Sequence, residues 1–234
     1  MVEVRPVANY TAYVYVVRHP ERSKNKDLVF GRTGLSLTSK GVDQTQCLAR
    51  FLSCQEFFRH KQVCIFLPPG EQLHFVAGIL AKALGTTTRT IVDPQLRRLN
   101  LGVLEGLSYD EARRLHPEVM RHLREWEEGI DTIDNLRIPM AESHADFLAR
   151  GRQAWRKICE YGRQYDVIVI GSRSTLILLL NLFLRRVNSL REYSYFQLDV
   201  SSITLLGLRE DLNSDIVFIN RTDFLDLSSK GEHE

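Results

Sequence analysis

The sequence predicts an α/β fold: a three-layer α/β/α sandwich around a mostly parallel sheet, with a helical cap inserted at about residues 100–140. Two observations predict this fold. Short runs rich in β-branched residues recur along the chain, as buried strands do. Several of these runs are followed by a turn and an amphipathic segment, an order typical of parallel βαβ units. No linker is long enough to divide the 234 residues, so we expect a single domain over 1–234.

The strands and helices are predicted from local patterns. Runs of β-branched, aliphatic and aromatic residues predict strands at 13–17, 63–67, 88–92, 165–171, 200–206 and 216–220. A helix is predicted to begin at Thr38 or Ser39, because either hydroxyl caps free amide groups. A second helix over 73–84 is expected to end at Gly85. Further helical segments are predicted within the polar stretch 108–135, from 139–143 onward, and over about 173–184.

Composition excludes several classes of function. A formal net charge of +2 is not that of a protein that binds nucleic acid by charge. No apolar run approaches the ~20 residues that a membrane-spanning helix needs, and the N-terminus lacks the pattern of a secretory signal. The four cysteines form no CxxC pair, and no His/Cys cluster has metal-ligand spacing. We therefore expect a cytoplasmic protein with no metal, no cofactor, and no nucleic-acid or membrane partner.

Candidate chemistry begins where the first predicted strand ends, at Arg18 and His19. In open α/β sheets, ligands bind just beyond the carboxyl ends of the strands. A neutral imidazole can attack phosphorus and carry the phosphoryl group. A guanidinium group offers a planar fork of donors that fits phosphate oxygens. The pair therefore predicts a site for phosphate chemistry.

This segment resembles the opening signature of the histidine phosphatase (phosphoglycerate-mutase-like) superfamily, Arg-His-Gly-Glu-Thr-x-x-Asn. It matches at Arg18, His19, Glu21 and Asn25 and departs at Pro20 and Arg22. Further matches to motifs of the family are Gly31, Leu37, Thr38, Gly41, Gln44, Gly102, Glu105, Gly106, Leu107, Glu142 and Ser143. The resemblance extends from Tyr13 to about Leu225.

The resemblance implies a pocket with two histidines, two arginines and usually a carboxylic acid, of which this sequence retains the first histidine and the first arginine. Gln72 stands where the second arginine belongs, and no arginine occurs in residues 60–88. Ser172 takes the place of the second histidine, and no histidine occurs in residues 145–232. Arg98 replaces the acid, which reverses the charge. We expect phosphatase chemistry to be lost.

The resemblance also implies that the remaining pocket is cationic. Its expected ligand-binding residues are Arg18, Arg22, Asn25, Gln72, Arg98, Ser172 and Arg173. A competing interpretation is that Arg22, Arg98 or Arg173 pairs with Glu21 or Glu105 and only fills space.

Three hypotheses follow. The first is a pseudophosphatase that binds a small anionic molecule or a protein partner, with a homodimer left open. The second is an enzyme of altered, for example biosynthetic, chemistry, in which His19 acts as base or nucleophile beside Arg98, Ser172 and Arg173. Glu105 or His74 would then be its proton partner. The third is slow residual phosphomonoesterase activity through His19 alone.

Overall fold

A computed structural model describes residues 10–23, 36–55, 62–85, 87–128, 130–131, 135, 137–184, 196–209 and 214–225. Six strands lie within these residues: β1 (Ala12–Arg18), β2 (Gln62–Leu67), β3 (Thr88–Val92), β4 (Tyr165–Gly171), β5 (Ile203–Leu208) and β6 (Ser214–Arg221). The described α-helices are α1 (Ser39–Ser53), α2 (Glu71–Leu84), α3 (Tyr109–Leu115), α4 (Pro117–Glu127), α5 (His144–Tyr161) and α6 (Arg173–Phe183). Short 3₁₀ turns occupy Pro94–Leu96 and Gly102–Leu104.

The strands form one sheet in the order β3-β2-β4-β1-β5-β6. The four strands from β3 to β1 are mutually parallel, whereas β5 runs antiparallel to β1 and β6 antiparallel to β5. The prediction of a mostly parallel sheet is confirmed. Strands β1 and β4 are the two central strands. Because they are parallel neighbours, their carboxyl ends lie at the same edge of the sheet, where ligands bind in such folds.

Helices cover both faces of the sheet, which confirms the three layers. One apolar cluster joins a face of the sheet to α1 and α2, through side chains such as Leu48 and Leu80. The other joins the opposite face to α5 and α6, through side chains such as Phe147 and Leu178. Because β1, β2 and β4 are buried on both faces, their sequences are almost continuously apolar.

Capping residues mark three of the helix boundaries. Thr38 accepts a hydrogen bond from the backbone amide of Gly41 at 2.9 Å and so begins α1. Ser143 accepts one from the amide of Asp146 at 3.1 Å and begins α5. Gly85 ends α2 in the left-handed conformation, with φ of 59°. The boundaries at Thr38 and Gly85 are as the sequence predicts, and α5 begins just after the predicted opening segment 139–143.

The predicted polar helical stretch consists of two helices, α3 and α4, that meet at His116. Ser108 and Glu111 form a reciprocal capping box at the start of α3. Ala112, Met120 and Leu123 are buried in the core cluster of the α5 and α6 side. The helical insertion is therefore packed onto the domain. No helix in the described ranges is long and apolar enough to cross a membrane.

Candidate functional site

The backbone brings the ends of β1 and β4 together. Arg18 is paired in register with Gly171, and the amide of His19 donates to the carbonyl of Gly171 at 3.1 Å. Strand β4 ends at Gly171 and is followed by Ser172 and then by Arg173, the first residue of α6. The two motifs predicted to share a pocket are thus adjacent.

Both ring nitrogens of His19 are hydrogen-bonded. Nδ1 lies 2.9 Å from the carbonyl oxygen of Pro20, and Nε2 lies 2.8 Å from Nη2 of Arg22. A guanidinium group only donates and a carbonyl only accepts. These partners fix one assignment, a neutral imidazole that donates from Nδ1 and accepts at Nε2. The nucleophilic lone pair of His19 is therefore occupied by Arg22.

Burial and neighbouring cations keep His19 neutral. Burial, as the largest cause, and repulsion from Arg22, Arg18 and Arg98 together lower the pKa of His19 from 6.5 to about 3, while the bond to the Pro20 carbonyl opposes the shift. The charged groups acting on this imidazole are all guanidinium groups. His19 therefore stays uncharged throughout the physiological pH range.

The guanidinium groups form an arginine cluster, defined as Arg18, Arg22, Arg98 and Arg173. Burial lowers the pKa of Arg18, and repulsion from Arg173 lowers it further. Burial also lowers the pKa of Arg22, followed by repulsion from Arg98 and Arg18. Arg98 is half-buried and Arg173 is exposed. The structure thus brings together the four arginines that the sequence predicts.

Arg18 is anchored from the loop that precedes β5. Its Nη1 donates to the carbonyl of Leu198 at 2.5 Å, and the nearby carboxylate of Asp199 partly offsets the lowering of the Arg18 pKa. Its Nε is buried and makes no hydrogen bond to any described residue. Asn220 holds Asp199 by two bonds, donating from Nδ2 to Oδ2 at 2.8 Å and accepting the Asp199 amide at 2.6 Å. Sequence reasoning missed Asp199, since nothing local marks a residue that approaches Arg18 only in the fold.

The structure describes two of the three neutral donors predicted for the pocket, Ser172 and Gln72. The hydroxyl of Ser172 lies 3.2 Å from the Ser174 hydroxyl and 3.1 Å from the Thr175 hydroxyl, and it does not cap α6. Gln72 is half-buried in the first turn of α2. Asn25 lies outside the described residues.

The predicted carboxylate partners of the arginines are engaged elsewhere. Glu21 accepts from the Thr38 hydroxyl at 3.0 Å and lies 3.7 Å from Nζ of Lys40. Glu105 accepts the amide of Leu101 at 2.9 Å, within the turn that follows Arg98. Neither contact involves the arginine cluster. Glu105 supports the local backbone through this bond. Its role as a proton partner of His19 stays a prediction.

No group of three or more His, Cys, Asp or Glu side chains suited to a metal ion occurs in the part of the chain that the structure describes.

Comparison with known proteins places this site in a family. Residues 14–220 match the description "Histidine phosphatase superfamily (branch 1)", a span that covers the carboxyl ends of β1 and β4 and nearly all of the sheet. The chain belongs to the histidine phosphatase superfamily. The resemblance in the sequence motifs and the α/β fold is thereby confirmed.

Individual relatives agree with this membership. The chain is 30% identical over 111 residues to phosphoglycerate mutase-like protein 4 of Arabidopsis thaliana, an alignment covering 47% of this chain and 46% of that protein. The chain spans about half the length of the first curated relatives that it matches.

Solved structures show the same fold. YhfR of Bacillus stearothermophilus superimposes with a TM-score of 0.77 at 19% identity, over 92% of this chain and 99% of that chain. The α-ribazole phosphatase of Shigella flexneri does so with a TM-score of 0.71 at 16% identity, over 89% and 96% respectively. At these identities, the likeness establishes the fold alone.

Proposed function

We propose that this chain is a pseudophosphatase, a histidine-phosphatase-like protein that binds a small anion in its arginine cluster and does not hydrolyse phosphomonoesters. The observation that carries the proposal is the hydrogen bond from Arg22 to Nε2 of His19. It lies among three guanidinium groups, those of Arg18, Arg22 and Arg98, where a phosphatase would need a free nucleophile.

The state of His19 argues against phosphoryl transfer. Attack on phosphorus requires the lone pair of Nε2, which accepts from Arg22 at 2.8 Å. The pKa of about 3 also means that this nitrogen is weakly basic. A histidine in this condition is a poor nucleophile and a poor general base at neutral pH.

The residues around His19 argue in the same direction. With Gln72 in place of the second arginine and Ser172 in place of the second histidine, the transition state loses charged donors and a proton carrier. One general acid contributes ~10²–10⁴ in rate, and one preorganised donor ~10²–10³. Groups that act together are non-additive, so the combined loss is not a simple product, but little turnover would remain.

The arginine cluster supports binding of an anion. Its members repel one another, as the lowered pKa values of Arg18 and Arg22 indicate, and Asp199 is the carboxylate that acts on Arg18. A phosphate, sulfate or carboxylate group would relieve this repulsion and accept paired hydrogen bonds from the guanidinium forks. Relatives with phosphatase in their names make a phosphate-bearing molecule the favoured ligand.

One observation favours a second candidate, an enzyme of altered chemistry. The bond from Nδ1 to the Pro20 carbonyl orients the imidazole, as a catalytic base requires. If a ligand drew Arg22 away, Nε2 would face the bound molecule beside Arg98, Ser172 and Arg173. The two candidates differ in whether a bound ligand is changed.

Hydrolysis and binding assays on the purified protein test the proposal. We expect a broad phosphomonoester panel to be hydrolysed no faster than by His19→Ala, and no phosphohistidine to form. Calorimetric titration with inorganic phosphate at fixed ionic strength should show binding that Arg98→Ala weakens. Arg209→Ala, which removes an arginine that bonds to Asp215, is the matched control and should bind as wild type does. Turnover abolished by His19→Ala, or no phosphate binding, would contradict the proposal.

A further inference from the structure

The backbone that carries Arg98 is held by donors from two helices. Nη1 of Arg150, on α5, donates to the carbonyl of Gln95 at 2.5 Å, and its Nη2 donates to the carbonyl of Arg98 at 3.2 Å. The hydroxyl of Thr175, on α6, donates to the intervening carbonyl of Arg97 at 2.9 Å. Three backbone carbonyl groups within residues 95–98 thus accept hydrogen bonds from side chains outside the arginine cluster.

Arg150 is itself held by Glu142. Nε and Nη2 of Arg150 donate to Oε1 and Oε2 of Glu142 at 2.5 and 2.9 Å, in a two-bond fork. The side chains are 13% and 14% exposed, and the guanidinium lies 4.7 Å from the centre of the Phe147 ring. The carboxylate also accepts the amide of Asn100 at 3.4 Å. This buried pair bonds the backbone on both sides of Leu99.

Arg98 needs such support because its charged neighbours repel it. Arg98 contributes to the lowered pKa values of both Arg22 and His19, so its positive charge lies close to theirs. Repulsion favours movement of this charge toward solvent, where water screens it. A segment that keeps a cation beside other cations must be held by bonds stronger than those of an ordinary surface turn.

We propose that Arg150 and Glu142 are positioning residues for the anion site, which hold the backbone of Arg98 so that its guanidinium stays beside Arg22 and His19. The proposal deepens the anion-binding function and, for the ligand, rests on it. The pair does not contact the bound molecule. It fixes the place of a group that does.

The first test measures the effect of Arg98 on His19 without any ligand. In Glu142→Leu/Arg150→Met, apolar side chains of similar size replace both members of the buried pair, a change that is often tolerated where removal of one partner is not. We expect the NMR titration midpoint of His19, assigned by its loss in His19→Gln, to rise as it does in Arg98→Ala. Combining the pair variant with Arg98→Ala should give no further rise. A folded pair variant with the wild-type midpoint would overturn the proposal.

Two further variants keep this test decisive. Arg209→Gln/Asp215→Asn removes an ion pair at the opposite end of β5 with the same change in net charge, and it should leave the His19 midpoint unchanged. If Glu142→Leu/Arg150→Met does not fold, Arg150→Lys takes its place. A lysine retains the charge beside Glu142 but cannot supply the fork and both carbonyl bonds, so the midpoint should again rise. A wild-type midpoint in folded Arg150→Lys would then overturn the proposal.

The second test uses inorganic sulfate as the probe. The pair variant should lose about tenfold in sulfate affinity, the equivalent of one charged hydrogen bond, and in the Arg98→Ala background it should lose nothing more. Wild-type affinity in the folded pair variant would overturn the positioning role while leaving anion binding intact. Failure of the unmodified protein to bind sulfate or phosphate would refute the proposed function, and the His19 midpoint would still decide the positioning role.

Discussion

The two ends of the central sheet hold their charges in opposite ways. At the amino end of β1, Arg209 bonds to Asp215, which also accepts the Tyr10 hydroxyl at 2.8 Å. Side-chain hydrogen bonding of Arg209 with Tyr10 and with Asp215 raises the pKa of Arg209. At the carboxyl end of β1, burial and neighbouring arginines lower the pKa values of Arg18 and Arg22.

Under the proposed function, this difference favours the carboxyl end of β1 as the place where an anion binds. A charge whose partners are within the fold gains nothing from an added anion, whereas a cluster of like charges is relieved by one. Under the proposed function, an anion would reduce the repulsion at the carboxyl end and would have less effect at the amino end. In this account, repulsion within the arginine cluster lowers the free energy of unfolding of the ligand-free protein, a cost that is common at functional sites.

The largest expected effect is a gain of activity at the carboxyl end. Gln72→Arg with Ser172→His restores the two groups that the family pocket requires, so phosphomonoesterase activity should become measurable, and adding Arg98→Glu should raise it. Either single change should do little, because such groups act together on one transition state. Release of phosphate from a small aryl phosphate is the measurement. A folded triple variant with no activity would mean that Arg22 on His19 also blocks the chemistry, and Arg22→Thr would be the next change.

Anion binding should stabilise the protein through one end of the sheet only. A ligand that binds only the folded state, at 100 times its dissociation constant, adds about 2.7 kcal/mol to the free energy of unfolding. We expect phosphate and sulfate to raise Tm, and Arg18→Ala or Arg98→Ala to reduce the rise. Arg209→Ala should leave it unchanged. Equal rises in all four proteins would mean that the anions act through general salt effects.

The pH dependence of stability should identify His19. Its pKa is about 3 in the folded state against 6.5 ordinarily, so between these values the unfolded chain binds a proton that the folded chain does not. The free energy of unfolding should therefore fall as pH falls from 6.5 toward 3, by up to about 1.4 kcal/mol per pH unit from this group. Denaturant unfolding at several pH values should show a smaller slope in His19→Gln.

The smallest expected effect concerns access to Nε2. Arg22→Ala removes the donor to His19 and one of the repelling charges, so carbethoxylation of His19 by diethyl pyrocarbonate should speed up severalfold, since the Nε2 lone pair is then free. Arg173→Ala removes an exposed arginine of the cluster without touching the imidazole and is the control. Equal modification rates in the two variants and the wild type would show that Arg22 does not occupy Nε2 in solution.

Local signals were enough for the fold. Capping by Thr38, the left-handed Gly85 and the apolar runs of β1 and β4 depend on neighbouring residues, so the sequence predicts them directly. The place of Arg18 and His19 also follows, because the ends of parallel strands determine where a ligand binds.

The contacts within the site could not be predicted in the same way. The bond from Arg22 to His19 joins residues only three apart, yet the sequence predicts a bound anion or, in the competing interpretation, a carboxylate as the partner of Arg22. Asp199 approaches Arg18 across 181 positions of the chain, and Arg150 reaches the Arg98 carbonyl across 52. Which partner a side chain bonds to in these cases depends on which residues the tertiary fold places beside it.

Binding without turnover is tested most directly by ³¹P NMR of the protein with one equivalent of a phosphomonoester. The account predicts that the ester resonance shifts or broadens on binding, that Arg98→Ala reduces this change, and that no inorganic phosphate or phosphohistidine resonance grows with time. Growth of either resonance in the wild type, and its absence in His19→Ala, would contradict the account, because it would show that His19 still transfers phosphoryl groups.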